Sequence, residues 1–181
     1  LWIDAHADMN TEETTPSGNI HGMPLSALLG YGHPGLTEFG GFAPKVDAKN
    51  TVIGGVRSVD AKEREVVKQT GATVYTMRDI DSRGLGEVMA EAIEIATKGT
   101  AGIHLSYDID ACDPSIAPGV GTPVRGGLTF RESHLIAEMV AESGKLLAMD
   151  LVEINTTMDS VNSTAKLGVD LVASAFGNAI L

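Results

Sequence analysis

Asp4, His6 and Asp8 occupy alternate positions in Leu1-Trp2-Ile3-Asp4-Ala5-His6-Ala7-Asp8. A hundred residues on, Asp108 and Asp110 do the same at the end of Gly102-Ile103-His104-Leu105-Ser106-Tyr107-Asp108-Ile109-Asp110. Side chains on a β-strand point alternately to opposite faces, so a period of two aims each set one way, same-face neighbours lying about 6.6 Å apart. Four carboxylates and one imidazole drawn together repel unless cations sit among them. A single Asp at a strand end is ordinarily a cap or turn former, but two period-two sets point to a metal centre. Oxygen-rich donors with a little imidazole suit Mn²⁺ better than Zn²⁺. Five ligands, several able to bridge, are too many for one small ion and reasonable for two. Two ions about 3.5–4 Å apart hold a water between them and lower its pKa into the working range. No Ser or Cys nucleophile is then needed, and Cys112 reads as a small packed residue.

Positioning such ligands falls to the strands before them. Residues 1–5 read as a strand followed by a polar loop, 10–22. Residues 23–29 suggest a short helix, and 30–49 a Gly/Pro-punctuated irregular stretch. A second strand is expected over 50–56, then a helix over 61–70 capped by Ser58 or Asp60. A third strand follows at 73–77, and Asp79 or Asp81 leads into a helix over 84–98 with Leu85, Val88, Met89, Ala92, Ile93 and Ala96 on one stripe. A fourth strand is predicted over 103–109, a long loop over 113–127, and a helix to about 143 opened by Thr129 with Glu132 three residues later. A strand over 146–154 and a helix from Ser163 to about Ile180 complete the order. Apolar strands alternating with helices imply a mostly parallel α/β sheet buried on both faces, with ligands bound beyond the carboxyl ends of the strands. His104 reads as a buried, hydrogen-bonded core histidine; His33 and His134, with no partners in view, read as surface or packing residues.

With 181 residues, 43% of them hydrophobic, one domain spanning 1–181 is the natural count. The formal charge of −11 speaks against nucleic acid or an anionic membrane as partner and suits metal ions or a small cationic substrate. A lone cysteine excludes an intramolecular disulfide and fits a reducing, cytoplasmic setting. The chain has no initiator Met and enters at once on Leu1-Trp2-Ile3, so it is expected to be an N-terminally incomplete piece whose upstream strands are missing.

Asp4-Ala5-His6-Ala7-Asp8 and Ser106-Tyr107-Asp108-Ile109-Asp110-Ala111-Cys112-Asp113-Pro114 resemble motifs of the ureohydrolases, the arginase and agmatinase family of dinuclear manganese enzymes. So do the loop from Ala117 to Thr129 and Met149-Asp150-Leu151-Val152-Glu153-Ile154-Asn155. The run Thr15-Pro16-Ser17-Gly18-Asn19-Ile20-His21-Gly22-Met23-Pro24 is similar to the bacterial arginase loop that grips the α-amino and α-carboxylate groups of the substrate. Asn10, Ser17 and Asn19 offer short neutral hydrogen-bonding groups suited to a carboxylate.

The resemblance implies a three-layer α/β/α, arginase-like fold, two Mn²⁺ ions per subunit, and hydrolysis of L-arginine to L-ornithine and urea by a bridging hydroxide. It implies that Asp4 and Asp108 bridge the ions, that His6 and Asp110 bind one and Asp8 the other, and that Asp8 also passes a proton to the leaving amine. Glu153 would pair with the guanidinium and His21 would shuttle protons. Asn10, Thr15, Ser17, Asn19, Asp60, Glu63 and Thr122 would contact the substrate, Asp60 and Glu63 at its α-ammonium. Asp113 would bind backbone around its turn. Trimers or hexamers are the family's common assemblies. A further metal-binding His, in a Gly-Gly-Asp-His segment of the family, has no counterpart here. Ser58 stands where arginases often carry Asp, Ala111-Cys112 replaces a commoner Gly-Leu, and Thr156 stands where Pro is usual. Agmatine or another guanidino acid as substrate, and an inactive manganese-binding homologue, stay open as alternatives.

Overall fold

The computed structural model of the protein describes residues 1–178. In chain order the elements are β1 (Trp2–Ile3), α1 (Pro24–Leu28), α2 (Pro34–Thr37), β2 (Val52–Val56), α3 (Ala61–Thr70), β3 (Thr73–Thr76), α4 (Met77–Arg83), α5 (Leu85–Thr97), β4 (Ile103–Asp108), α6 (Phe130–Glu142), β5 (Leu146–Val152) and α7 (Ser163–Ala175). The closing helix therefore ends at Ala175, short of the expectation, and positions 179 and 180 of that expectation lie outside the described residues.

All five strands run parallel in the order β3-β2-β1-β4-β5. The chain first builds outward from β1 through β2 to β3, then returns to the other side of β1 to lay down β4 and β5. The switch point of the sheet therefore falls between β1 and β4, where helix connections diverge and a crevice opens beyond the carboxyl ends. Trp2 pairs with Ser106 and Ile3 with Tyr107, so the next position on each strand brings Asp4 beside Asp108.

Strand alternation divides the core into two layers around the sheet. Ile3, Val52, Tyr75, Leu105 and Tyr107 face one way, onto Val88 and Met89 of α5, Ile136 and Val140 of α6, and Leu167 and Leu171 of α7. Ile53 faces the other way with Leu25 of α1, and Trp2, Val66, Val67 and Val74 pack against that second cluster. The result is the expected three-layer α/β/α arrangement.

Two helices start as their sequences suggest. Asp60 and Glu63 form a reciprocal capping box on α3, and Thr129 and Glu132 form another on α6. The stretch before α5 differs. Thr76 caps a separate helix, α4, with Asp79 as its third residue, and Gly84, at φ +89° and ψ 139°, breaks the chain before α5 begins. Asp79 thus closes a capping box rather than leading into α5.

β5 departs from the two-face burial expected of these strands. It forms the edge of the described sheet, with Leu147 65% and Val152 39% exposed. His104 of β4 lies on this open region and is exposed, paired with Asp150 at 2.7 Å, rather than buried in the core. His134 is buried and bonded to Ser174 at 2.9 Å, whereas His33 caps α2 through Gly35 N–H. Cys112 is fully packed, its thiol 3.2 Å from the Ser133 hydroxyl.

Candidate metal centre

The switch point gathers the ligand candidates. Asp4, His6 and Asp110 bring one donor atom each within 4.8 Å of one another. His6 Nδ1 lies 3.0 Å from Asp110 Oδ2 and 3.4 Å from Asp4 Oδ1. The carboxylates are aimed by the backbone and by their neighbours. Asp4 Oδ1 accepts from the His6 N–H at 2.7 Å and its Oδ2 from the Trp2 indole at 2.9 Å. Asp110 Oδ1 accepts from the Ala5 N–H at 3.2 Å, tying the turn after β4 to the turn after β1, while the Thr122 hydroxyl donates to Asp110 Oδ2 at 3.0 Å. Asp108 Oδ1 accepts from the Asp110 N–H at 2.8 Å. β2 runs close to these turns because Gly55, at φ +93°, leaves no side chain against the Asp4 carbonyl, which a Cβ would meet at 3.2 Å.

Burial and mutual repulsion set the electrostatics. Burial, with the charges of Asp4 and Asp110, pushes Asp108 up to about 10; burial, with the charge of Asp4, pushes Asp8 up to about 9. Asp4 is raised chiefly by burial, with Asp110 adding to it. Burial works against a charged His6, but its bonds to Asp110 and Asp4 outweigh that and lift the imidazole to about 10. Asp110 is also disfavoured by burial, yet its bonds to His6, Ala5 and Thr122 hold it below the usual carboxylate range. Four acids face one imidazole, and the Arg57 guanidinium nearby is bonded to backbone carbonyls rather than to their carboxylates. Such a donor set is short of positive charge and fits one or more oxygen-preferring divalent ions.

Among the described residues, Asp8 and Glu153 are two of three non-glycine residues with positive φ, at +52° and +65°. Residues other than Gly, Asn and Asp seldom take that conformation, so the strain falls on Glu153, and such strain clusters at functional sites. Both line a cavity of about 680 Å³ together with His21, Trp2, Asp108 and Asp150. His21 Nδ1 stands 3.8 Å from Glu153 Oε1, and Gly121 lets the loop after β4 pass close to Glu153 Oε2.

The residues expected at the substrate's α-groups fall into two sets. Asn10, buried, donates to Asp60 Oδ2 at 2.9 Å and accepts from Thr14. Asp60 also caps α3, while buried Glu63 accepts from the Met9 N–H at 3.0 Å, which ties α3 to the segment after Asp8. Burial raises Glu63; hydrogen bonds to Glu63 N–H, Asn10 and Lys62 N–H outweigh burial at Asp60 and lower it. Thr15, Ser17 and Asn19 form a separate exposed loop, where Thr15 Oγ1 accepts from the Gly18 N–H and Ser17 Oγ from the Asn19 N–H. Asp113 accepts from Ser115, Gly126 and Gly127 N–H, as expected of a turn-binding residue. Two residues beside the centre carried no expectation. One is Trp2, through its bond to Asp4; the other is Arg57, which directly follows β2 and donates to the Asp110 carbonyl at 2.8 Å. The one readable signal for Arg57 was a basic residue directly after an apolar strand in an acidic chain.

Fold and site together define an α/β/α protein with a carboxylate-rich, metal-type centre at its switch point. The Arginase family matches residues 1–177. An arginase from Brevibacillus brevis is 52% identical over 181 residues, which is all of this chain and 61% of that protein. The native structure of Bacillus caldovelox arginase at pH 5.6 superposes with a TM-score of 0.97 at 50% identity, covering 99% of this chain and 60% of that one. Entamoeba histolytica arginase in complex with L-ornithine superposes with a TM-score of 0.88 at 36% identity, covering 97% and 59%. The chain belongs to the arginase family and has its fold, and it spans about 60% of the length of these relatives.

Proposed function

We propose that the whole protein hydrolyses the guanidinium group of L-arginine to L-ornithine and urea at a centre loaded with two Mn²⁺ ions. The observation that carries this reading is the convergence of Asp4, His6 and Asp110 within 4.8 Å at the switch point, with the charges of Asp4 and Asp110 reaching both Asp8 and Asp108. Asp4, His6, Asp8, Asp108 and Asp110 would hold the ions, with His6 and Asp110 serving one, Asp8 the other, and Asp4 and Asp108 both. When bound, the ions supply the positive charge that acidifies water for attack on the guanidinium carbon.

The chain's own residues do the rest. Glu153, held at the cavity wall in a strained backbone conformation, offers a carboxylate to the planar, cationic guanidinium. Asp8 orients the reacting carbon and returns a proton to the departing amine. His21, exposed and 3.8 Å from Glu153, exchanges protons between site and solvent. Asn10, Thr15, Ser17 and Asn19 receive the α-carboxylate, and Asp60 and Glu63 the α-ammonium; Thr122 keeps the overlying loop in place. The L-ornithine complex of the Entamoeba histolytica relative fits a product of this class, and the acidic charge of −11 fits a cationic substrate. The test is urea release by the full-length protein from L-arginine and from agmatine at equal concentration. Preference for arginine is expected, and a clear preference for agmatine overturns the assignment.

A further inference from the structure

Arg57 follows directly on β2 and is half-buried beside the metal centre, yet its guanidinium pairs with backbone oxygens alone. Nη2 donates to the Asp110 carbonyl at 2.8 Å, the Cys112 carbonyl at 3.3 Å and the Val124 carbonyl at 2.7 Å. Nη1 donates to the Ala111 carbonyl at 3.0 Å and the Gly55 carbonyl at 3.2 Å, and Nε to the Val124 carbonyl at 3.2 Å. One side chain thereby joins three segments: the end of β2, the turn that carries Asp110, and the loop that carries Thr122.

We infer that Arg57 is a positioning residue that holds the Asp110 turn and the Thr122 loop in register, so that the Asp110 carboxylate points into the metal centre. The geometry is specific to Asp110. Its N–H is bound by Asp108 and its carbonyl by Arg57, so the peptide groups on both sides of the ligand are fixed. Its Oδ2 accepts from Thr122, and two residues beyond Thr122 the Val124 carbonyl is held twice by the same guanidinium. The site is closed to adjustment on the opposite wall as well. A Cβ at Gly127 would lie 2.5 Å from Arg57 Nη2 and 2.7 Å from both the Ala111 carbonyl and the Asp113 nitrogen, so guanidinium and turn backbone together leave that position no room for a side chain. A planar fork with five N–H donors can span these carbonyls at once, whereas an ammonium on a flexible stem cannot. Groups that orient a metal ligand commonly change metal affinity by about 10–100-fold when removed.

The inference rests on the reading of Asp110 as a Mn²⁺ ligand, and its test separates the two. Mn²⁺ binding to the full-length wild type is measured first by the electron paramagnetic resonance signal of free Mn²⁺; absence of binding there defeats the metal reading itself. With wild-type binding in hand, Arg57→Lys is expected to fold with its Mn²⁺ dissociation constant raised at least about tenfold. Thr122→Val is expected to weaken binding in the wild-type background but to add little to Arg57→Lys, because both act through the placement of Asp110. Wild-type Mn²⁺ affinity in Arg57→Lys, whatever its melting temperature, or full additivity with Thr122→Val, overturns the proposal. So does an Arg57→Lys chain that fails to fold even with Mn²⁺, since Arg57 would then serve the core and not the metal turn.

Discussion

Glu153 and Asp8 show how far individual side chains are committed to this site. Both have positive φ, a conformation that Asp8 tolerates but that costs Glu153 more than it would a Gly or Asn, and each faces the same cavity. For Glu153, pairing with the substrate and not with metal predicts that Glu153→Gln retains full Mn²⁺ content while kcat/KM for arginine falls about 100-fold or more, since a neutral amide neither matches the charge of the guanidinium nor accepts at both atoms. Equal loss of Mn²⁺ would assign Glu153 to the metal. Ser17 and Asn19 lie on an exposed loop, where the Ser17 hydroxyl accepts from the Asn19 N–H. Ser17→Ala or Asn19→Ala should therefore raise KM for arginine about tenfold with kcat little changed, a pattern read directly from steady-state kinetics. At this scale the acids and His6 were legible because their types and close spacing are a local signal, although strand alternation does not aim them: Asp4, His6, Asp8 and Asp110 lie in the turns beyond β1 and β4. His104 shares their alternate spacing but not their environment: its place on β4 was readable, its exposure beside Asp150 was not. Arg57 gave little sign because its partners are backbone carbonyls up to 67 residues away, which no side-chain pattern encodes.

Among the elements, those with explicit start signals were readable in advance. α3 and α6 begin at Asp60 and Thr129 because each cap has a Glu three residues later to complete the box. The Thr129 hydroxyl accepts from the Glu132 N–H inside the first turn of α6 itself, so Thr129→Ala should lower stability by ~1 kcal/mol in denaturant unfolding while leaving Mn²⁺ affinity unchanged. A change in Mn²⁺ binding in that variant would show the helix start to be coupled to the centre. The break between α4 and α5 was hidden for a physical reason. Thr76 and Asp79 cap α4 immediately at the end of β3, so strand and helix abut without the polar turn that would mark a boundary. β5 is the edge of the described sheet, and what covers its faces depends on what packs against that edge, which the apolar composition of the strand does not encode.

Across the whole molecule, the acid cluster makes stability depend on pH in a defined sense. Asp8 and Asp108 have folded-state pKa values of about 9 and about 10, far above their unfolded values, so the folded chain holds more protons than the unfolded chain from about pH 4 upward. His6, also raised to about 10, contributes stability that is fully present below its unfolded pKa of about 6.5 and lost as pH rises towards 10. Asp110, lowered, loses its contribution only below the usual carboxylate range and does not oppose this trend. The metal-free full-length protein should therefore melt at progressively lower temperature between pH 5 and pH 9 (buffer limits set on the order of these pKa values). Added Mn²⁺ should raise the melting temperature more at the alkaline end, where the ligands have already lost their protons. A metal-free melting temperature that climbs over this range would contradict the crowding of acids described above.

The most direct measurement is the metal content of the full-length protein after manganese loading, by elemental analysis joined to anomalous scattering from crystals. Two Mn²⁺ per chain are expected, one against His6 and Asp110, the other against Asp8, with Asp4 and Asp108 between them. Diffraction that shows ordered side chains of these five residues and no anomalous peak among them would contradict the account.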